Sequence, residues 1–333
     1  MISSEIVIGL IGACGSSLIA TAAMLWGMRR WNRLVSPSSR GMHTVPKPAG
    51  GGIGVIAGFA VGHVAMDVPL SIYWWSAMGI LLFAVIDDVG RPFSVLQKTV
   101  LMLASIVCLL LDPQWLALFA EPIAYFKGDI ALFCFGVFWF FSLCNVFNFM
   151  DGIDGIGATQ SIIIASFLSL HVLMFDSILA SQFWIFVASL IGFLVFNKPP
   201  AKIFMGDVGS LFCGFFVAAF SIYSVASGVP ILHVLVLLSY YFADTAYTLV
   251  RRFLNRENIF QAHNKHVYQR LVRMGWSHSM VSIWAGIMTI LNGMGGYLIT
   301  SGVPGVGWVC WFISAIIWFF SILYVERKGP SFA

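Results

Sequence analysis

The sequence predicts an all-α, polytopic integral membrane protein with about 10–11 transmembrane helices, and three observations carry that reading. Apolar residues make up 59% of the 333 positions and charged residues only 10%, where ordinary soluble domains carry roughly 25% charge. So few charges cannot cover a water-facing surface of this size, so lipid must be the solvent. The apolar runs are about 16 to 22 residues long and do not alternate, which favours helices over barrel strands. In hydrocarbon only helices and closed barrels satisfy every backbone polar group. Finally, the basic residues sort to one side once the runs are counted.

The runs follow in order. The first, 5–28, exceeds a signal-peptide core and lacks a small-residue cleavage pattern, so it is read as a retained helix. Further runs lie at 51–66, 71–86, 98–112, 129–146, 156–175, 180–197, 209–227, 231–250, 280–299 and 304–324. Several are short for a hydrocarbon core of about 30 Å and are expected to tilt or to be half-buried. The chain reads as one transmembrane domain, 1–333. Its inner loops fall near 29–50, 87–97, 147–155, 198–208 and 251–279.

With the N-terminus outside, the inner loops, the tail and the border residue Lys98 hold 17 of the 18 basic residues, leaving only Lys127 outside. The positive-inside rule makes that basic side cytoplasmic, and a bacterial inner membrane is the expected location. The six cysteines all lie in apolar stretches without a CxxC spacing, which indicates no disulfide and no zinc site. The short basic loops make no nucleic-acid stripe.

Six acids sit at or just inside the cytoplasmic helix ends: Asp87, Asp88, Asp151, Asp154, Asp207 and Asp244. Carboxylates beside hydrocarbon are costly and are kept for function. Adjacent Asp87 and Asp88 repel unless a divalent cation or a proton relieves them. In Asn145–Gly155, the three-residue spacing puts Asn145 and Asn148 on one helix face. The Asp151-Gly152 and Asp154-Gly155 pairs then break the helix and turn their side chains toward a shared point. Such oxygens are hard ligands suited to magnesium, which keeps waters and bridges phosphates. In Phe204–Ser210 the glycines allow close backbone approach before the next helix, whose N-terminus favours phosphate. Two basic loops complete the inner side, Ser39–Gly52 and Gln261–Arg270. His263 and His266 would share a face if helical. Without further nitrogen or thiolate ligands they suit phosphate contact better than zinc.

These blocks, in this order, resemble the polyprenyl-phosphate N-acetylhexosamine-1-phosphate transferases (glycosyltransferase family 4), and the likeness runs through most of the chain. The His263-Asn264-Lys265-His266 loop looks most like that of bacterial members that initiate O-antigen or related glycans. The peptidoglycan branch usually carries three consecutive histidines there. Ala49 departs from the pattern, since relatives often have arginine at this point, with Lys47 as a substitute nearby.

The resemblance implies transfer of N-acetylhexosamine 1-phosphate, or a deoxy derivative, from a UDP-sugar to undecaprenyl phosphate. It implies a cytoplasmic active-site cleft, Mg2+ with Mn2+ as a substitute, and a homodimer. Asn148 and Asp207 would ligate the metal, and Asp151 and Asp154 would lie in the nucleotide and diphosphate pocket beside Asn145. Asp87 and Asp88 would face the lipid phosphate. Arg40, His43, Lys47, Lys98, Phe204, His263, His266 and Arg270 would contact substrate. A peptidoglycan- or teichoic-acid-precursor transferase is the neighbouring reading. An ion-coupled transporter is the reading from another class, disfavoured because the acids sit at one border rather than at the midplane.

Overall fold

The structure, a computed structural model, describes residues 4–328 except 37–41, 44, 68–71, 90–92, 113–117, 119–128, 260 and 262. Arg40, an expected substrate contact, lies outside the described residues. The named elements are all helical: α1 (Ser4–Arg30), α2 (Gly52–Ala65), α3 (Ile72–Val89), α4 (Val95–Leu110), α5 (Asp129–Phe149), α6 (Ile156–Val172), α7 (Ser177–Asn197), α8 (Gly206–Ala226), α9 (Ile231–Leu254), α10 (Val267–Arg273), α11 (His278–Thr300) and α12 (Pro304–Lys328). Each of the eleven apolar runs forms a helix. The seven-residue α10 is additional, too short to announce itself by apolar periodicity. Among the described residues, seven helices are long and apolar enough to cross a membrane, while α2, α4 and α6 are apolar but shorter. The chain is thus a multi-pass membrane protein.

Helix α8 forms the axis of the bundle. Of its most apolar window 89% is buried, against 22% for α1 and 11% for α12, which face outward. Its small residues and phenylalanines explain this position. Phe212, Phe216 and Phe220 meet Phe59 of α2 and Phe186 of α7 in a run of aromatic contacts, with centroids 4.4 Å apart for Phe212–Phe216 and 4.6 Å for Phe59–Phe216. Edge-on and offset rings at such distances stabilise beyond their buried area.

At the end of the bundle that carries the motifs, α2 and α8 touch backbone to backbone. A Cβ placed on Gly52 would sit 2.2 Å from the Gly209 Cα. The stretch before α2 is pinned to the stretch before α8 by three hydrogen bonds: Phe204 N–H to Pro48 O, Gly51 N–H to Phe204 O and Gly52 N–H to Met205 O, each 2.9 Å. Two distant segments of the sequence are thereby stitched into one wall.

This contact yields a test. Gly52→Val should cost at least about 1–3 kcal/mol, since backbone on backbone has nothing flexible to yield. Gly15→Ala, where an added Cβ meets nothing within 4 Å, should stay within about 0.5 kcal/mol of wild type. Thermal unfolding in detergent compares them. Equal melting temperatures for the two variants would remove the close helix contact from the account.

Candidate functional site

The basic end of the bundle encloses a cleft of about 350 Å³. Its walls include Asp88 from the end of α3, Asn148 from the last turn of α5, Asp151 and Asp154 from the turn before α6, and Asp207 and Ser210 from the first turn of α8. His43, Ala49, Asn197, Phe204, Gln269 and His278 also line it. Residues far apart in the chain meet here because each lies at the helix end that faces this side of the bundle.

The carboxylates are held in different ways. Asp88 accepts from the backbone N–H groups of Asp207 and Val208, each at 3.2 Å, so it docks on the N-terminus of α8. Asp151 accepts from the Gly157 N–H at the start of α6. Enclosure pushes the Asp151 carboxyl well above the usual carboxylate range, and the Gly157 hydrogen bond pulls against it. Asp87 accepts from Phe93 N–H at 2.6 Å and pairs with Lys98 at 2.6 Å. Lys98 bridges onward to Asp207 at 2.7 Å. The Asn148 amide donates to Asp207 Oδ1 at 3.0 Å and to Ser210 Oγ at 2.9 Å.

Asp154 anchors another corner. Lys47 Nζ lies 3.1 Å from its Oδ2, the Ala201 N–H donates to it at 2.9 Å, and His278 Nδ1 lies 3.4 Å away. Burial alone would raise its pKa, but the contacts from His278, Ala201 and Lys47 outweigh burial and hold it at about 2. Lys47 also rides over the Phe204 ring at 5.3 Å, and the His43 ring meets Phe204 edge-on at 4.8 Å.

Other expected site residues sit elsewhere. Asn145 shares a helix face with Asn148 but donates to Phe141 O of its own helix at 2.8 Å, outside the cleft wall. Arg270 is 3% exposed, paired with Glu326 and donating to Val325 O at 2.8 Å. It ties α10 to α12. His263 and His266 precede α10 rather than forming part of a helix, although their rings stack at 4.9 Å. His266 Nδ1 lies 3.0 Å from Asp244, which also accepts from Val267 and Tyr268 N–H. Asp244, fully buried, therefore docks on the N-terminus of α10 and positions this loop. Burial, with His266 and Arg252 nearby, lowers the His263 imidazole to about 3, so it is neutral near pH 7.

Sequence reasoning missed His278, Asn197 and Tyr268. Asn197 accepts from Gly155 N–H at 3.1 Å and donates to Ile203 O at 3.0 Å. The Tyr268 hydroxyl accepts from Gly152 N–H and donates to Phe149 O, both at 2.8 Å. Tyr268 lies within the basic Gln261–Arg270 block but carries no charge, and His278 and Asn197 had only their place at the ends of inner loops as a signal.

The donor set suits a hard divalent cation. Among the described residues no group of three His, Cys, Asp or Glu side chains is arranged around a metal point. Magnesium needs only one or two carboxylates when substrate phosphates supply the remaining ligands. Asp207 with the Asn148 amide offers such oxygens, and a half-turn of that amide presents Oδ1 in place of Nδ2. The buried His43 Nε2 has no hydrogen-bond partner, a donor or acceptor left for a ligand on the same wall.

The Asp154 cluster makes a pH prediction. A carboxylate held near 2 in the fold and about 4 when unfolded stabilises fully above pH 4, and this stabilisation is lost as pH falls through 2. Its size is on the order of 2 kcal/mol. Unfolding of Asp154→Asn in detergent should therefore depend less on pH between 4 and 2 than wild type. Identical slopes would remove the ion-pair assignment.

Comparison with known proteins finds likenesses along much of the chain. The profile of glycosyl transferase family 4 matches residues 70–225. A probable undecaprenyl-phosphate N-acetylglucosaminyl 1-phosphate transferase of Bacillus subtilis is 26% identical over 303 residues, 88% of this chain and 84% of that protein. A phospho-N-acetylmuramoyl-pentapeptide-transferase of Leuconostoc citreum is 31% identical over 182 residues, 51% of this chain and 54% of its own length. Another, of Carboxydothermus hydrogenoformans, is 29% identical over 189 residues, 54% and 55% of the two lengths. These likenesses support a place for the chain among the polyprenyl-phosphate hexosamine-1-phosphate transferases of glycosyltransferase family 4.

Proposed function

We propose that this enzyme transfers N-acetylhexosamine 1-phosphate, or a deoxy derivative, from a UDP-sugar to undecaprenyl phosphate and releases UMP. The observation that carries the reading is the meeting of Asp88, of Asn148 with Asp151, and of Asp207, from three separate stretches, on one cleft wall. The basic residues at that end orient it toward the cytoplasm of a bacterial inner membrane. The product would initiate an O-antigen or related envelope glycan. The resemblance over 88% of the chain to the B. subtilis protein supports an N-acetylglucosamine-type donor. The peptidoglycan-precursor reading rests on matches that span about half of each relative.

In the reaction a lipid phosphate oxygen attacks the phosphorus that bears the sugar, and the bond from that phosphorus to UMP breaks. The attacking phosphate is already largely ionised near neutral pH (second pKa about 6), so a strong base is not required. Magnesium held by Asp207 and Asn148 would neutralise diphosphate charge and make UMP a better leaving group. Asp88 faces the cleft, its carboxyl oxygens oriented by two backbone N–H groups. Lys98, between Asp87 and Asp207, is placed to meet an incoming phosphate. His43 and Phe204 line the cleft on the side proposed for the donor, with Lys47 over the Phe204 ring. Most of the acceleration then comes from positioning and preorganised charge.

The direct test offers purified enzyme a panel of UDP-sugars with undecaprenyl phosphate, with magnesium or with chelator, and identifies the lipid product by mass. One UDP-sugar should give lipid-linked sugar phosphate and UMP, and chelation should abolish it. A carrier would make no such lipid. Asp207→Ala should lose at least about 100-fold in kcat even at saturating magnesium, with normal membrane insertion. An active Asp207→Ala enzyme would eliminate the metal assignment.

A further inference from the structure

His278 opens α11, yet it does not serve as that helix's cap. Ser277 takes that role, its hydroxyl accepting from Met280 N–H at 3.2 Å. The imidazole is therefore free to reach across, and both ring nitrogens do so. Nε2 lies 3.1 Å from the Met42 carbonyl oxygen, and Nδ1 lies 3.2 Å from the Asp154 backbone N and 3.4 Å from its Oδ2. A carbonyl only accepts, so Nε2 carries the proton and donates to Met42 O. In the neutral ring Nδ1 then offers its lone pair to the Asp154 N–H.

These contacts close a circuit of side chains. Met42 is tied to His278, His278 to Asp154, and Asp154 to Lys47 at 3.1 Å. Lys47 is itself paired with Val35 through two backbone hydrogen bonds, of 2.8 and 3.2 Å. The segment that carries His43, Lys47 and Ala49 is thus gripped near both ends. Ser282, one turn further along α11, donates to Asp154 O at 3.3 Å and braces the same turn. Both ring nitrogens are thus engaged within the protein, one by Met42 O and the other by Asp154.

We propose that His278 is a positioning residue for donor binding, which latches the Met42–Lys47 segment to the Asp154 turn. The latch keeps Lys47 and His43 against Phe204, and through them shapes the His43–Phe204 wall of the cleft that the anionic UDP-sugar would enter. The inference rests on reading this cleft as the UDP-sugar site, but the latch itself has a readout that needs no substrate.

The experiment combines kinetics with hydrogen exchange. His278→Ala should raise KM for UDP-N-acetylglucosamine about tenfold, the worth of one lost hydrogen bond in a partly buried site. kcat should change by less than about threefold, and KM for undecaprenyl phosphate should not move. The amides of Val35 and Lys47 should exchange faster, while those within α11 keep their protection. His278→Gln, whose amide reaches Met42 O, should recover part of both effects; if the alanine variant does not fold, Gln and Asn variants are compared with wild type instead. Unchanged donor KM with unchanged exchange at Val35 and Lys47 overturns the latch, as does a fall in kcat at constant KM. A wild-type protein that makes no lipid-linked sugar defeats the transferase reading alone, since the exchange result still judges the latch.

Discussion

The inner end of this protein is organised by carboxylates seated on helix N-termini, two of them on helices from other parts of the chain. Asp88 of α3 seats on α8, Asp151 on α6, and Asp244 of α9 on α10. A buried carboxylate is costly unless it is paired and hydrogen-bonded, and a helix N-terminus supplies both free N–H groups and a partial positive charge. Each seat therefore turns a cost into a joint between two segments. Asp87 and Asp207 stand apart from this scheme, because they share one ammonium, that of Lys98. Two carboxylates on one cation leave negative charge uncompensated, and this is the corner where a divalent ion and a phosphate fit the electrostatics.

Backbone proximity makes the arrangement possible. Gly50 and Gly206 have φ of +86° and +76°, a region glycine enters without a steric cost. A Cβ on Gly206 would lie 2.2 Å from Asp88 Oδ2. The aspartate reaches the N-terminus of α8 only because nothing projects from residue 206. The glycines of the two loops and the aspartates beside them thus form a single device, although 118 positions separate Asp88 from Gly206 in the chain.

The fold was legible because hydrocarbon imposes a simple rule on sequence. Each of the eleven apolar runs became a helix with ends within four residues of the expected ones. The sorting of charges then placed the motifs at one end, and the structure gathers Asp88, Asn148, Asp151, Asp154 and Asp207 into one cleft there. Depth in a membrane is a coordinate the sequence encodes directly. Contact partners are not. Asn145 and Asn148 lie on the same face, yet only Asn148 has Asp207 opposite it, while Asn145 turns back to Phe141. Arg270 looked like a phosphate ligand, but Glu326 at the far end of the chain waits beside it. His278 carried no motif at all. Periodicity gives the angle of a side chain about its helix, and tertiary packing decides what stands in front of it.

The lengths of three helices have a physical outcome of their own. At 1.5 Å per residue, the 14 residues of α2, the 16 of α4 and the 17 of α6 rise only about 21–26 Å, less than the usual hydrocarbon thickness of about 30 Å. Lipid beside them must thin, with headgroups sinking toward the protein, or these helices must be shielded by longer neighbours. Helices α2 and α6 both begin at the end of the bundle that holds the cleft. Matching such short helices to the bilayer makes membrane thickness a variable to which the packing of this bundle responds.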